Sequence, residues 1–255
     1  DDGYKAMVSG VDASMGASNN DLTLASTAAR ELYIPLQFWF CRNPGLALPL
    51  IALQYHEVKI NIEFASASEI ITGTDSLSFS AQLYVDYVYL DTDERRRFAQ
   101  VSHEYLIEQL QFTGDEAGAN SLKLNFNHPV KELIWVEKAT DAKVGEYTTT
   151  YSSALIQLNS HDRFSARKPA YFQLVQPYQH HERVPIDKED SANINVYSFA
   201  LKPEEHQPSG TCNMSRIDNA ALKLTGCSSD VVKVFAVNYN VLRIMSGMGG
   251  LAYSN

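Results

Sequence analysis

The sequence predicts an all-β fold made of antiparallel sandwiches or a jelly roll. Several short segments alternate apolar and polar side chains, long loops rich in Ser, Thr, Asn and Gly separate them, and no helical pattern alternates with strands as in a parallel α/β fold. The 255 residues are 45% hydrophobic and include 14 Tyr and 11 Phe, a balance typical of aromatic β-strands around a sizeable core.

The first part of the chain predicts a loop followed by strands. Residues 1–30 are rich in Ser, Ala, Asn and Gly without a sustained period, which favours a long loop. A strand is predicted over residues 31–40, at a sheet edge or a bulge because Pro35 has no N–H to donate. Residues 57–64 alternate apolar with polar side chains, and the Tyr-rich segment 81–90 has one apolar face, so both are expected to be strands.

A short helix is predicted directly after the Tyr-rich segment. Asp91 followed three residues later by Glu94 is typical of a helix start, and Phe98 and Val101 then recur at helical spacing. We expect this helix, over residues 93–102, to link two β-domains.

The rest of the chain predicts further strands. They are expected over residues 122–126, 133–136, 154–158, 194–201, 219–224 and 231–245. In the last of them Phe235, Val237 and Tyr239 share one face. Residues 104–112 are ambiguous between helix and strand, and residues 162–190 are expected to be irregular.

The two halves of the chain share one order of elements. A strand, a turn region with a Cys, an alternating strand, a polar loop and a long aromatic strand occur over residues 31–90 and again over residues 194–245. Identity between the copies is low, so this is a repeat of pattern, and it indicates two domains of the same kind.

Composition excludes several classes of protein. The net charge of −9 and a single basic cluster, Arg95 to Arg97, disfavour direct binding of nucleic acid. No run of 18 apolar residues predicts a transmembrane segment, and the first residues do not resemble a signal peptide, so we expect a chain that is soluble or held in an assembly. Cys41, Cys212 and Cys227 lack CxxC spacing, which predicts reduced, buried thiols.

Enzyme motifs are missing from the sequence. It contains no P-loop, no HExxH and no GxSxG, and the terminal GMGG run is followed by too few residues to form a dinucleotide-binding unit. We therefore expect no catalytic and no cofactor-binding residues.

The histidines leave one alternative open. His180 and His181 are adjacent, so on an extended chain they point in opposite directions and do not share a metal. Together with His161 or His206 they form the candidate for a cupin-like metal site on a β-barrel. Solvated or interface histidines are the favoured interpretation, so no metal ligand is predicted.

Two surface features are further candidates. The run YTTTY, residues 147–151, is a loop or strand edge by default and a sugar-stacking surface by the alternative hypothesis. Asn213, Met214 and Ser215 match the pattern of an N-glycosylation acceptor, which makes Asn213 a candidate modification site.

Five long segments of the chain carry a resemblance to a known family. They are residues 43–60, 83–114, 124–136, 216–224 and 238–255. In this order they resemble the major capsid proteins of the large nucleocytoplasmic DNA viruses, in particular those of algal viruses and iridoviruses. The resemblance covers nearly the whole chain from residue 31 onward. Its matching segments are long, and the resemblance is therefore specific.

The resemblance implies a double jelly roll, two antiparallel eight-stranded sandwiches side by side. The repeat then consists of the last three strands of each roll, and the early strands of the first roll are missing, so that the first roll is only partly present in a partial sequence or a fragment. The implied domains are residues 1–92, the C-terminal part of the first roll, residues 93–102, the linker helix, and residues 103–255, the second roll.

The implied function is structural and not catalytic. Three copies would form a pseudo-hexagonal capsomer that tiles the icosahedral shell of a double-stranded DNA virus, with neighbouring capsomers, penton and minor capsid proteins as further partners. We expect the protein in the virion shell, assembled in the infected host cell, in the cytoplasm, without direct contact to nucleic acid, since an internal membrane separates shell and genome in this family. A cupin-like metal-dependent enzyme and a carbohydrate-binding sandwich are the alternatives.

Overall fold

The computed structural model describes residues 7–8, 31–66, 79–117, 120–139, 147–184, 193–229 and 231–253. Contacts divide the chain into two compact units, Asp1–Leu48 and Pro49–Asn255. Nearly all of the loop predicted over residues 1–30 lies outside the described residues.

The first unit contains short helices. Helix α1 is Trp39–Arg42, and a 3₁₀ helix, Pro44–Leu46, follows it. The side chain of Asn43 accepts a hydrogen bond from the N–H of Gly45 at 2.9 Å and so caps this second helix. The strand predicted over residues 31–40 is wrong, because these residues join no sheet among the described residues and their end turns into α1.

The second unit contains ten strands and two α-helices among its described residues. The strands are β1 His103–Ala117, β2 Ser121–Lys123, β3 Pro129–Lys138, β4 Ser153–Leu158, β5 His161–Asp162, β6 Asn195–Ser198, β7 Cys212–Asn213, β8 Ala220–Thr225, β9 Val231–Met245 and β10 Met248–Leu251. The helices are α2 Thr92–Gln100 and α3 Gln176–His180, with a π-helix at Tyr171–Val175 and 3₁₀ helices at Leu50–Ala52 and Met214–Arg216.

The strands form two antiparallel sheets with the connectivity of a jelly roll. The larger sheet has the order β1-β9-β3-β6, with β7 and β10 attached, and the smaller sheet has the order β2-β8-β4-β5. Without the short strands β7 and β10, the first, eighth, third and sixth strands lie in one sheet and the second, seventh, fourth and fifth in the other. This is the pairing that two interlocked Greek keys produce.

The core of the sandwich lies between the inner faces of the two sheets. Trp135 is fully buried and packs edge-on against Phe172 at 5.0 Å between ring centroids. The predicted alternation over residues 122–126 is confirmed, because Leu122, Leu124 and Phe126 all point into this core. In the strand predicted over residues 133–136, Leu133 and Trp135 belong to the core. The buried cluster comprises Leu122, Leu124, Phe126, Val130, Leu133, Trp135, Tyr151, Ala154, Ile156, Phe172, Tyr197, Met214, Ala220, Leu222, Leu224, Val232, Val234 and Ala236.

Helix α2 has the predicted cap at Asp91, and it runs from Thr92 to Gln100 where the sequence predicted residues 93–102. The Asp91 carboxylate accepts a hydrogen bond from the N–H of Thr92 at 2.7 Å, which satisfies one of the free donors of the first turn. The helix ends at Gln100, so Val101 is its C-cap and the ambiguous residues 104–112 belong to strand β1.

The strands predicted over residues 57–64 and 81–90 are wrong for the structure described. Neither segment pairs with any described residue in a β-ladder, and nearly all of their residues are exposed. A strand is held by its neighbours, and the described residues contain no neighbour for these two segments. Phe64 and Phe79 nevertheless meet at 4.7 Å between ring centroids.

Two further elements differ from the sequence prediction. The region 162–190, expected to be irregular, contains the π-helix and α3, whose first turn accommodates Pro177 because that position needs no intrahelical N–H. The Gly-rich end of β9 forms a hairpin with β10. None of the helices in the described part of the chain has the length and apolar character that a bilayer crossing requires.

Candidate assembly surface

The outer face of the larger sheet carries an exposed apolar patch. In the register of β1 with β9, Leu110 lies opposite Val237 and Phe112 opposite Phe235. Side chains alternate along a strand, and Val232, Val234 and Ala236 of β9 are in the core, so Phe235 and Val237 point outward. We call Leu110, Phe112, Phe235 and Val237 the outer-sheet patch.

This patch is unusual for an antiparallel sheet. The solvent face of such a sheet normally alternates to polar residues. Here Leu110 is 63% exposed and Phe112 is 47% exposed, and the Phe112 ring stacks on Phe235 at 4.7 Å between centroids. The sequence singled out Phe235 and Val237 as one face, whereas their partners on β1 were missed because that segment was ambiguous.

A buried ion pair lies on the same face, beside the patch. Lys131 is only 2% exposed, and its ammonium group donates to Glu108 and to the Pro203 carbonyl, both at 2.6 Å. It also lies 5.4 Å from the centroid of the Tyr239 ring. Burial, with Glu108 and Glu132 nearby, raises the pKa of the Tyr239 hydroxyl.

A second polar pair ties helix α3 to the sheet. The register of β3 shifts between Val130 and Glu132, and at this bulge the Glu132 carboxylate lies 2.8 Å from Nε2 of His181. The neighbouring His180 contacts the Leu201 carbonyl through Nδ1 at 3.0 Å. Both histidines therefore hold the 176–181 segment and the loop after β6 in place.

A second apolar patch lies beside the opposite edge of the larger sheet. The Gln176 side chain accepts a hydrogen bond from the N–H of Ser198, which places α3 next to edge strand β6. Four exposed apolar residues lie on this helix, on the π-helix before it and in the loop after β6, and we call them the helix-edge patch. They are Leu174, Val175, Tyr178 and Leu201.

Two segments outside the β-ladders add a third apolar surface. Residues 57–66 and 79–90, which we call the open segments, expose most of their large apolar side chains. Tyr84 and Tyr89 are 81% and 91% exposed. Large exposed apolar surfaces on a soluble protein indicate a place where another surface binds.

The histidine alternative has no site in the structure. His161 is exposed in β5, His206 is exposed in a loop, and His180 and His181 are engaged as described. The described residues, which include all four, contain no group of three or more His, Cys, Asp or Glu side chains that can hold a metal.

Residues of the YTTTY run make contacts inside the protein. The Tyr151 ring is buried and its hydroxyl donates to Asn195 at 2.6 Å, so it is not available for stacking on a sugar. Burial, together with the nearby Glu137 carboxylate, raises the pKa of this hydroxyl. Thr150 donates to Glu137 through its N–H at 2.6 Å and its hydroxyl at 2.7 Å.

Asn213 is exposed at the end of β7. Its backbone pairs with Pro129 of β3, and its side-chain oxygen accepts a hydrogen bond from the N–H of Ser215 at 3.1 Å. The Ser215 hydroxyl accepts from the N–H of His128 at 2.8 Å. Glycosylation of Asn213 stays a prediction.

The cysteines match the sequence prediction in part. All three are free thiols, but Cys41 is exposed and Cys212 and Cys227 are only half-buried, whereas the sequence predicted buried thiols. Burial raises the pKa of the Cys212 thiol, with Arg163 acting in the opposite direction.

Comparison with known proteins identifies the family of this chain. The family model described as large eukaryotic DNA virus major capsid protein matches residues 94–250, and the model of the major capsid protein N-terminus matches residues 3–91. The chain belongs to the major capsid protein family of large eukaryotic DNA viruses.

Individual relatives agree with this assignment. The chain is 66% identical to the major capsid protein of Pyramimonas orientalis virus. The match covers 100% of this chain and 68% of the relative. It is 44% identical to that of Phaeocystis pouchetii virus, with 88% of this chain and 65% of the relative covered. The chain thus spans about two thirds of the length of these curated relatives.

A solved capsid structure confirms the fold class. The crystal structure of PBCV-1 VP54, fitted into a cryo-EM reconstruction of the virophage Sputnik, matches with a TM-score of 0.70 and 39% identity over 88% of this chain and 70% of that chain. The prediction of an all-β double jelly roll is therefore confirmed.

Proposed function

We propose that this chain forms the greater part of a shell subunit that assembles as a homotrimer with a pseudo-hexagonal outline. Trimers tile an icosahedral capsid in the virion, with penton and minor capsid proteins as further neighbours. The subunit acts by packing and carries no catalytic site, and it is assembled in the cytoplasm of the infected cell without touching the genome.

The observation that carries this proposal is the combination of a complete jelly-roll connectivity with apolar surfaces left open. A monomeric enzyme or lectin encloses its apolar residues and opens a pocket lined with a few convergent polar groups. Here the convergent polar groups, such as Lys131 with Glu108, bind each other, while Leu110, Phe112 and the open segments face outward. Permanent assemblies bury large apolar interfaces of this kind.

The domain organisation belongs to the same proposal. Residues 1–92 form the C-terminal part of a first roll, residues 93–102 the linker and residues 103–255 the second roll. The two family models meet between residues 91 and 94, directly at helix α2, which supports a division there. The pattern repeat predicts that the open segments become paired strands once the first roll is complete.

The test is the size and shape of the purified full-length protein. Light scattering is expected to give the mass of three copies, and negative-stain electron microscopy a three-fold particle with a hexagonal outline. A protein that stays monomeric at high concentration contradicts the proposal. Two further measurements test the alternatives. For the metal-dependent enzyme we expect no stoichiometric binding of Zn²⁺, and for the carbohydrate-binding protein we expect no binding on a glycan array.

A further inference from the structure

The open segments, which belong to the proposed first roll, leave the second roll at two places. The open segment 57–66 begins directly after His56, and the open segment 79–90 leads directly into Asp91 and helix α2. Both places lie within the compact unit Pro49–Asn255, which also contains the sandwich of the second roll. The linker helix is therefore one of two connections between the rolls.

The first connection is the linker helix, which is bound to the second roll at its C-terminal end. Nε2 of His103, the first residue of β1, lies 2.8 Å from the carbonyl oxygen of Phe98, and the two rings lie 5.2 Å apart between centroids. Val101 and Ser102 stand between helix and strand. A pair of residues at the end of an element is a typical hinge, so this connection by itself leaves rotational freedom.

The second connection joins the segment before residue 57 to the turn between β9 and β10. The N–H of Tyr55 donates to the Gly247 carbonyl at 2.9 Å, and the N–H of Gly249 donates to Nδ1 of His56 at 3.3 Å. Side chains of the segment pack where these glycines have no Cβ. A Cβ at Gly247 would lie 2.5 Å from Cδ2 of Tyr55, and one at Gly249 would lie 3.2 Å from Cδ2 of Leu53.

The two connections lie side by side at one end of the second roll. A cavity of about 380 Å³ between them is lined by residues of both connections and of the hairpin turn, among them Ala52, Val101 and Gly247. The first roll is therefore held at two neighbouring but separate points.

We propose that residues 50–56 and the β9–β10 turn form a second joint between the two rolls, which together with helix α2 sets the angle between them. The inference rests on the proposed two-roll subunit and adds the contact that fixes its shape.

Two points of attachment restrict the subunit far more than one. A body held at one flexible point rotates about three axes, whereas a body held at two points rotates only about the line that joins them. A pseudo-hexagonal trimer needs the same angle between the rolls in every subunit, because each roll must meet a neighbour on both sides. An angle that is fixed before assembly lowers the entropic cost of association.

The side chains of the joint contribute little to the second roll itself. Tyr55 is 78% exposed and His56 is exposed, and neither belongs to the buried cluster of the sandwich. Substitutions at these positions are therefore expected to loosen the joint and to leave the sandwich folded.

The experiment measures the distance between the rolls in the full-length protein by double electron–electron resonance. Spin labels are attached to Cys introduced at Glu63 in the first roll and at Lys123 in the second, both of which are exposed. Cys41, Cys212 and Cys227 are first replaced by Ala. Labelled protein is diluted with unlabelled protein, so that only distances within one chain are recorded.

The joint is loosened from each of its two sides. Tyr55→Ala combined with His56→Ala changes the segment, and Gly249→Val changes the hairpin independently. Tyr253→Ala, which removes another exposed tyrosine ring outside the joint, is the matched control. Circular dichroism and the thermal midpoint show whether each variant is folded.

The unaltered protein and Tyr253→Ala are expected to give one narrow distance distribution. Both joint variants are expected to widen it at least about twofold, because a single hinge then remains. The double variant should do so at an unchanged thermal midpoint. In analytical ultracentrifugation the trimerisation midpoint of both joint variants is expected to rise about tenfold in concentration, because a mobile first roll must be ordered on assembly.

Three outcomes overturn the inference. A width that stays the same in folded joint variants shows that helix α2 alone sets the angle. A broad distribution in the unaltered protein shows that the first roll is not held at two points. Equal widening in Tyr253→Ala shows an effect unrelated to the joint. If the unaltered protein gives a narrow distribution but never forms trimers, the joint stands and it is the proposed function that fails.

Discussion

At the scale of single residues, Lys131 shows how a charge is held inside this fold. A buried ammonium group is stable only with close acceptors, and Glu108 and the Pro203 carbonyl supply them at 2.6 Å. Sequence alternation alone predicts Lys131 in the core, since it lies two residues before Leu133 and four before Trp135. The bulge between Val130 and Glu132 turns it to the outer face, and a bulge leaves no clear signal in a single sequence.

The first prediction concerns this pair. Lys131→Met leaves the Glu108 carboxylate, of which 14% is exposed, without its ammonium partner, so the free energy of unfolding is expected to fall by about 3 kcal/mol. Urea unfolding measures this value. Adding Glu108→Leu should restore part of the loss, because the carboxylate that lost its partner is then removed as well.

Arg243→Met is the matched control for that prediction. Its pair with Glu104 is half exposed on both sides, and such pairs contribute less than about 1 kcal/mol. An equal loss for Arg243→Met and Lys131→Met would contradict the importance given to burial.

The second prediction concerns pH. Burial raises the pKa of Tyr151 above its ordinary value of 10.0, so the folded state keeps a proton that the unfolded chain releases at that pH. The stabilisation is complete below about pH 10 and is lost as the pH rises above it. Tyr151→Phe is expected to lower stability by about 1 kcal/mol at pH 8 through loss of the bond to Asn195, with a gap to the unaltered protein that narrows above pH 10.

Urea unfolding between pH 8 and pH 11 checks this. Tyr178→Phe, which removes the hydroxyl of a side chain that is 81% exposed, is the control and should leave the stability at pH 8 nearly unchanged. A constant gap between Tyr151→Phe and the unaltered protein across this range would refute the assigned role of the buried hydroxyl.

At the scale of elements, the pairing of β1 with β9 organises the larger sheet. Three acidic residues along β1 bind cations of other strands in the sheet. Glu104 and Asp115 bind Arg243 and Lys233 of the adjacent strand β9, and Glu108 binds Lys131 of β3, the next strand after it. A slip of one residue would move every one of these side chains to the other face, so the ion pairs help to specify the register. The same register brings the outer-sheet patch together.

The third prediction concerns the hairpin from β9 to β10. Gly247 has φ +81, and a Cβ built there meets Cδ2 of Tyr55 at 2.5 Å. Gly247→Ala is expected to cost about 2 kcal/mol, both because L residues avoid this conformation and because residues 53–56 must move away from the turn. Gly250→Ala, where a Cβ meets nothing within 4 Å, is the matched control.

Thermal unfolding of both glycine variants gives the answer. The midpoint should fall for Gly247→Ala and stay near that of the unaltered protein for Gly250→Ala. Equal midpoints would show that Tyr55 does not pack on the turn in solution.

At the scale of the whole molecule, the described chain combines a closed sandwich with the open segments. The strands of the sandwich pair in two sheets, whereas residues 57–66 and 79–90 have no ladder partners among the described residues and expose most of their large apolar side chains. Exposed apolar segments outside a sheet are a liability for a free chain and an advantage for one that joins an assembly.

The fourth prediction follows from this contrast. Brief digestion with chymotrypsin is expected to cut first after the exposed Tyr84, Tyr87 or Tyr89, because a protease needs a stretch of chain that is free of ladder bonds. Mass spectrometry should find a resistant fragment that contains β1 to β10. Earlier cleavage inside the sandwich would contradict the described difference in stability. In assembled particles we expect the same tyrosines to be protected from cleavage.

The sequence by itself determined the class of the fold, the helix after Asp91 and the positions of most strands from 122 onward. These follow from local signals, since alternation, capping residues and turn residues act within a few neighbours along the chain. Only the tertiary structure decided that residues 57–64 and 81–90 remain unpaired, that Lys131 faces outward and that Leu110 and Phe112 complete an apolar patch with β9. Each of these features depends on which strand lies alongside. In the case of β1 and β9, the paired residues are more than 100 positions apart in the sequence. No local sequence pattern carries that information.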